Sequence, residues 1–318
     1  MNQFRTTFTI NEAASKITYF DSLMMLGSCF SENIGNKLSS LQFDLCLNPY
    51  GILYNPCSIE ISIKEIVDCK EYINKDILYF NDNWFSLKHH GVFSSPDKDL
   101  CLQKINESIE NANTYIKKSK YIFITLGTAV VYFDSGTDFV VGNCHKIPAS
   151  NFYTKRLSVE ECSNSLDNIV NAINAVNEDV TVVFTVSPIR HWKDGAVENQ
   201  RSKATLVLAI DQVIQHHKNI IYFPSYEIMM DDLRDYRFYK DDMLHVGDIA
   251  VEYIWEKFKN TFISETCFEA MDEVDKINKA LAHRVERTDT AEYRKFKEYI
   301  VNKTSELEKK FPYLSFQL

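Results

Sequence analysis

Two groups of residues, far apart in the chain, have the types that acyl transfer requires. Near the start, Leu23-Met24-Met25-Leu26 is an apolar run that breaks at Gly27-Ser28-Cys29-Phe30-Ser31. Four buried-type residues suit a short parallel strand, and Gly27 permits a tight turn. Ser31-Glu32-Asn33-Ile34-Gly35 can cap and open a helix. Ser28 or Cys29 then sits on the turn beside the positive end of that helix, which lowers a thiol pKa and stabilises a neighbouring anion. Toward the other end, Asp242 and His245 stand three residues apart. That spacing lets a carboxylate orient an imidazole acting as general base. A lone D-x-x-H arises often by chance, and most histidines pack or face solvent. The combination with a nucleophile turn is what points to a site.

The Gly27-Ser28-Cys29-Phe30-Ser31 turn resembles the GSCFA signature, and the order of turn first and D-x-x-H last resembles the SGNH, or GDSL-like, hydrolase superfamily. Further segments resemble the same family in the expected order: Asn48 to Pro56, Leu126 to Ala129, Asn143 to Lys146, Ser187 to His191 and Leu233 to Tyr239. The resemblance covers roughly residues 1 to 260. It implies a doubly wound α/β hydrolase acting on short acyl esters of carbohydrate.

In the superfamily's Gly-Asp-Ser turn the nucleophile is two positions after the glycine. That position is Cys29 here, and Ser28 takes the aspartate position. A thiolate is a competent acyl-transfer nucleophile, which favours Cys29, with Ser28 as the alternative. Cysteine is also a common buried residue, so a packing role for Cys29 is the third reading. The resemblance further implies oxyanion donors from the nucleophile's own N–H, a glycine and an asparagine. Cys29 and Gly51 match the first two. The third block reads Gly127-Thr128-Ala129, with alanine in place of asparagine. Either the Thr128 hydroxyl substitutes, or Asn55 or Asn143 reaches in.

The elements that must position these groups alternate between strand and helix. Helices are expected near 31–41, 57–68, 99–118, 158–177 and 196–216. Strands are expected at 23–26, 43–47, 121–126, 180–186 and 220–223, with aromatic extended runs around 77–87. Val130 to Phe133 and Phe139 to Val141 flank Asp134-Ser135-Gly136-Thr137, which reads as a hairpin. Repeated β-α-β units predict a three-layer, doubly wound parallel sheet whose ligand lies at the carboxyl ends of the strands. Gly27, Gly127, Ser187 and Ser225 all fall just past expected strand ends. Residues 1–263 read as this α/β domain, and the Glu-, Lys- and Arg-rich residues 264–318 as a C-terminal helical extension packed on it. His283-Arg284 reads there as a surface pair.

Other polar residues are candidates for the pocket. Arg190, beside His191 after an expected strand, suits bidentate binding of a carboxylate or anionic sugar, or structural pairing with Asp194. His145, in the Asn143-to-Lys146 loop, is an alternative base or a substrate contact. Cys144, His145, His191 and His245 match no zinc spacing, and no phosphate-binding glycine loop or dinucleotide fingerprint occurs. No metal and no cofactor are therefore expected.

Composition narrows the class. The 318 residues, 45% of them hydrophobic, can bury a large core, and the net charge of −9 argues against a nucleic-acid binder. With 9 glycines and 7 prolines, long flexible linkers are not expected. No apolar run of about 18 residues and no signal-peptide pattern occurs, so neither a membrane span nor secretion is expected. The eight cysteines form no CxxC pair and read as reduced thiols in a cytoplasm. No signal for an oligomeric state is present. The resulting expectation is an ester hydrolase with a Cys or Ser, His and Asp constellation and a covalent acyl-enzyme. An acyltransferase to a sugar hydroxyl and a catalytically inert binding or scaffold protein of the same fold are the alternatives.

Overall fold

In the computed structural model, which describes residues 6–282 and 291–316, the long apolar runs become the strands of one parallel sheet. Strand β1 (Ser22–Gly27) leads through helix α1 (Cys29–Ser40) to β2 (Asp44–Leu47) and α2 (Pro56–Val67). A short hairpin, β3 (Leu78–Phe80) and β4 (Asn83–Phe85), precedes α3 (Lys98–Lys118) and β5 (Tyr121–Leu126). A small antiparallel sheet follows, built from β6 (Val130–Asp134), β7 (Val140–Val141) and β8 (Phe152–Arg156). The main sheet is completed by α4 (Val159–Asn174), β9 (Thr181–Val186), α5 (Gly195–His216) and β10 (Ile220–Tyr222). Helix α6 (Ser225–Glu227) runs into π-helical Ile228–Leu233, and α7 (Asp248–Phe262), α8 (Phe268–Ala282) and α9 (Ala291–Lys310) end the chain.

The sheet order is β10-β9-β5-β1-β2, with every neighbouring pair parallel. Winding proceeds from β1 outward to β2, then returns to the other side of β1 at β5. The direction therefore reverses between β1 and β5, and the loops leaving those strands part to open a crevice.

Side chains alternate across the strands and are apolar on both faces. Met24, Leu26, Ile122, Ile124, Val182 and Phe184 pack with Ile59 and Ile63 of α2, Ile105 of α3, Leu166 of α4 and Leu206 of α5. Leu23, Met25, Tyr121, Phe123 and Val183 pack on the other side with Ile34 of α1, Phe258 and Phe262 of α7, and Met271 and Val274 of α8. Burial on both faces is why these strands read as unbroken apolar runs. Ile300 and Leu307 of α9 pack against Ile277 of α8. His283 and Arg284 lie outside the described residues. Among the described residues no helix is long and apolar enough to cross a membrane.

Two elements differ from the sequence reading. Helix α1 begins at Cys29, capped by Ser28, whose hydroxyl accepts the Phe30 N–H; Ser31 is inside the first turn. Ser31 instead donates from within the core to the Leu26 carbonyl and bonds the Thr125 hydroxyl. Strand β8 was not foreseen, since its residues are mostly exposed and lack apolar alternation. It is a strand because β6 offers it a free edge, with Val130 to Asp134 paired to Arg156 through Phe152. The expected hairpin forms between β6 and β7.

Candidate active site

The turn after β1 is shaped by a close approach to β5. Gly27 has φ of 128°, and a Cβ there would lie 2.2 Å from the Thr125 carbonyl oxygen, so only glycine fits. Its N–H donates to Asn48 Oδ1 at 3.0 Å and its carbonyl accepts the Leu53 N–H at 3.0 Å. Ser28, 1% exposed, accepts the Phe30 N–H as the helix cap. Cys29 occupies the first helical position with a half-buried thiol, its Sγ 3.8 Å from the Tyr54 hydroxyl. Burial raises the thiol pKa, outweighing the lowering hydrogen bond from Tyr54, and nearby Glu32 adds to the rise. This corrects the expectation of a thiol acidified by the helix end: desolvation of the thiolate is the larger effect.

The Asp242 turn is built to hold His245. Asp242 Oδ1 accepts the N–H groups of Leu244 and His245, each at 2.9 Å, and Oδ2 lies 2.6 Å from His245 Nδ1. These bonds, the His245 backbone N–H foremost, hold the Asp242 carboxyl down to about 2. The carboxylate accepts the Nδ1 proton and thereby leaves Nε2 as the basic nitrogen. Both side chains are about half exposed, at 49% for His245 and 45% for Asp242. The turn is tied to the end of β9, where the Arg190 N–H donates to Leu244 O and the guanidinium to Met243 O, both at 3.2 Å.

A cavity of about 480 Å³ opens where β1, β5 and β9 end, at the reversal of the winding. Its lining brings together Ser28, Cys29, Asn55, Thr128, Asn143, Arg190, His191 and His245 from the sequence reading. Asp242 stands behind His245. No hydrogen bond joins Cys29 to His245 among the described residues. Ser187 also lines the cavity, whereas Ser225 is turned inward, donating to Val186 O and bonding the Thr185 hydroxyl.

Three expectations are corrected by bonds the sequence could not reveal. The Gly51 N–H donates to Asn48 O at 2.7 Å and Gly51 does not line the cavity, so it offers no oxyanion donor. The N–H groups of Gly127 and Thr128 both donate to Tyr54 O, and the Thr128 hydroxyl is bonded to Ser202 Oγ and accepts the Val130 N–H. His145 is absent from the lining: its Nε2 lies 2.9 Å from Ser86 O and 3.0 Å from His89 O, its ring stacks on Phe85, and burial lowers its pKa. His145 thus holds the segment after β4 in place. Among the described residues, neither the Cys29 N–H, at the first helical position, nor Asn143 Nδ2, whose partner Oδ1 accepts the His145 N–H, bonds another residue. Asn55 is partly occupied, capping α2 at Ser58 N and donating to Ser58 Oγ.

Arg190 does not pair with Asp194. Its guanidinium lies 4.0 Å from the centre of the Trp192 ring, and 5.8 and 5.7 Å from those of Tyr236 and Tyr239. The His191 Nε2 is buried without a hydrogen-bond partner and its ring stands edge-on to Tyr54. Burial, then the charge of Lys203, push His191 down to about 4, so it is neutral at pH 7. A Cβ on Gly127 would lie 2.9 Å from that nitrogen.

Sequence reading missed Tyr54, Lys193 and above all Lys203. Lys203 is 1% exposed, and its Nζ donates to Gly127 O and Ser187 O, each at 2.7 Å, tying the ends of β5 and β9 together. Burial pushes its pKa down to about 7. A signal was present: Asn199, Lys203, Leu206 and Ile210 follow helical spacing on the buried stripe of α5. Among the described residues no three His, Cys, Asp or Glu side chains gather as a metal-binding group.

The model of the GSCFA family matches residues 22–258, and that of the GSCFA domain protein, C-terminal domain, matches residues 274–318. No curated protein matches the chain. Among solved structures, one similar chain is a carbohydrate esterase family 3 from Talaromyces cellulolyticus, with 9% identity and TM-score 0.37 over 80% of this chain and 99% of that one. Another is a Clostridium thermocellum family 3 carbohydrate esterase, with 11% identity and TM-score 0.36 over 79% and 97%. A third is an acetyl xylan esterase from the rumen bacterium Butyrivibrio proteoclasticus, with 10% identity and TM-score 0.38 over 83% and 65%. The family match runs from β1 through most of α7 and contains both Cys29 and His245, and on that match the chain belongs to the GSCFA family.

Proposed function

We propose that the protein is a carboxylic ester hydrolase in which Cys29 is the nucleophile, His245 the general base and Asp242 the residue that orients it. The observation that carries this reading is the Asp242–His245 pair, bonded at 2.6 Å, on the cavity that Cys29 also lines. His245 Nε2 takes the thiol proton as Sγ attacks the ester carbonyl carbon. The C–S bond forms, the C–O bond breaks, and the imidazolium returns the proton to the leaving alcohol oxygen. Water, deprotonated by His245, then hydrolyses the thioester, and the acid leaves as the thiol is restored. The Cys29 N–H and Asn143 Nδ2 are the donors proposed for the developing oxyanion. Ser28 is less suited than Cys29 because its side chain is almost fully buried and caps the helix, whereas the Cys29 thiol is only half-buried.

The substrate class proposed is a short acyl ester on carbohydrate. Hydroxyl and amide groups of Ser28, Tyr54, Asn55, Thr128, Tyr132, Asn143 and Ser187 line a cavity sized for a small molecule. The test is mass spectrometry after exposure to p-nitrophenyl acetate. An acetyl adduct on Cys29, lost in His245→Ala and in Cys29→Ala but kept in Ser28→Ala, is the expected result. Absence of both adduct and turnover with any activated ester would overturn the reading in favour of an inert binding protein.

A further inference from the structure

Two cations lining this cavity, Arg190 and Lys193, form no ion pair at contact distance among the described residues, in a chain whose net charge is −9. Arg190 makes one side-chain hydrogen bond, to Met243 O at 3.2 Å, and is otherwise held by aromatic faces. Lys193 donates to the Tyr132 hydroxyl at 3.0 Å. Asp194 is the acidic residue lining the same cavity, and it forms an ion pair with neither cation. The aromatic faces restrain the guanidinium, and its N–H groups other than the one bonded to Met243 O are left for a ligand such as the two oxygens of a carboxylate or phosphate.

Arg190 and Trp192 also line a second cavity of about 280 Å³, beside the first. Tyr226, Tyr236 and Tyr239 give it apolar faces, and Asn199 and Gln200 supply amides. Its other charged residues are already matched, Arg234 to Asp231 at 3.3 Å and Asp235 to Arg237 at 3.7 Å. Trp192 and Tyr236 remain 42% and 62% exposed. Flat aromatic faces beside planar amides are what the ring of a sugar stacks on and bonds to.

We propose that the two cavities form one cleft for an anionic glycan, in which the second receives a sugar ring next to the acylated one and Arg190 binds a carboxylate or phosphate carried by that glycan. The position of the acylated sugar rests on the ester-hydrolase reading; the anion site does not. Lys193 adds positive potential to the same cleft, partly offset by Asp194.

The test is calorimetric titration of the whole protein with three trisaccharides: neutral cellotriose, the same length bearing one glucuronate, and the same length bearing one 6-phosphate. Wild type is expected to bind an anionic trisaccharide at least about tenfold more tightly than cellotriose, the scale of a charge-assisted hydrogen-bonded pair. The glucuronate and phosphate arms identify which anion the site takes. Arg190→Met is expected to reduce that preference to within about twofold, Arg190→Lys to keep part of it, and added salt to weaken it. Melting curves confirm that each variant is folded. Equal binding of all three sugars, binding of none, or a preference that survives in folded Arg190→Met would overturn the proposal. An Arg190-dependent preference without any acyl adduct would instead sink the hydrolase reading alone, and an adduct without the preference would sink this inference alone.

Discussion

At the residue scale, Asp242 does two things at once: its Oδ1 braces the turn and its Oδ2 orients the imidazole. Asp242→Asn keeps an oxygen for the backbone N–H groups but loses the anion that selects the Nδ1–H tautomer. Turnover of p-nitrophenyl acetate is expected to fall by about two to four orders of magnitude, with little change in melting temperature because the pair is half exposed. Steady-state kinetics beside a thermal melt separates the two effects. Cys29 carries a second prediction. Because burial raises its pKa, the thiol form prevails at neutral pH, so in His245→Ala its alkylation by iodoacetamide should be slower at pH 7.5 than that of a free thiol and keep climbing beyond pH 9. An inflection below pH 8 in that variant would contradict the burial account.

At the element scale, the strands reach the cavity as a fixed set because Lys203 joins the carbonyls that end β5 and begin the loop after β9. A lysine that ionises at about 7 in the fold, and near 10.4 when unfolded, binds fewer protons in the native state between those values. Native stability therefore rises with pH across that window, by on the order of a few kcal/mol for so deep a depression, and is flat below it. Lys203→Met is expected to abolish this rise, which chemical denaturation at pH 6.5 and 9.5 measures for both proteins. The same substitution leaves the Gly127 and Ser187 carbonyls without their donor, so turnover of p-nitrophenyl acetate is expected to fall as the strand ends separate. Gly127→Ala should also impair the site, since the new Cβ meets His191 and Tyr54. Loss of activity with a preserved far-ultraviolet spectrum is the expected outcome.

At the scale of the whole molecule, α8 closes one face of the sheet through Val274, which is fully buried with Met271 against the residues of α1 and α7. Val274→Asp places an unpaired charge there and should cost more than about 3 kcal/mol, read as a lowered urea midpoint. The doubly wound architecture was legible in the chain because strands buried on both faces leave unbroken apolar runs, and helices leave a 3.6-residue stripe. The turn after β1 was legible as well, since Gly27 and the following helix start are local events in sequence. Strand β8 was not, because an exposed edge strand exists through its partner rather than its own pattern. Nor were the donor environments: the Gly51 N–H is taken by the Asn48 carbonyl, and the Thr128 hydroxyl is bonded to Ser202 Oγ and accepts the Val130 N–H. By itself the sequence determined the periodicities, the turn at Cys29 and the short-range Asp242–His245 spacing, all set by neighbours along the backbone. Only the tertiary structure decided that Cys29 and His245 share one cavity, that Lys203 is buried between the ends of β5 and β9 and that Arg190 lies against aromatic rings. Those outcomes depend on burial and on partners from distant segments, which no local pattern encodes.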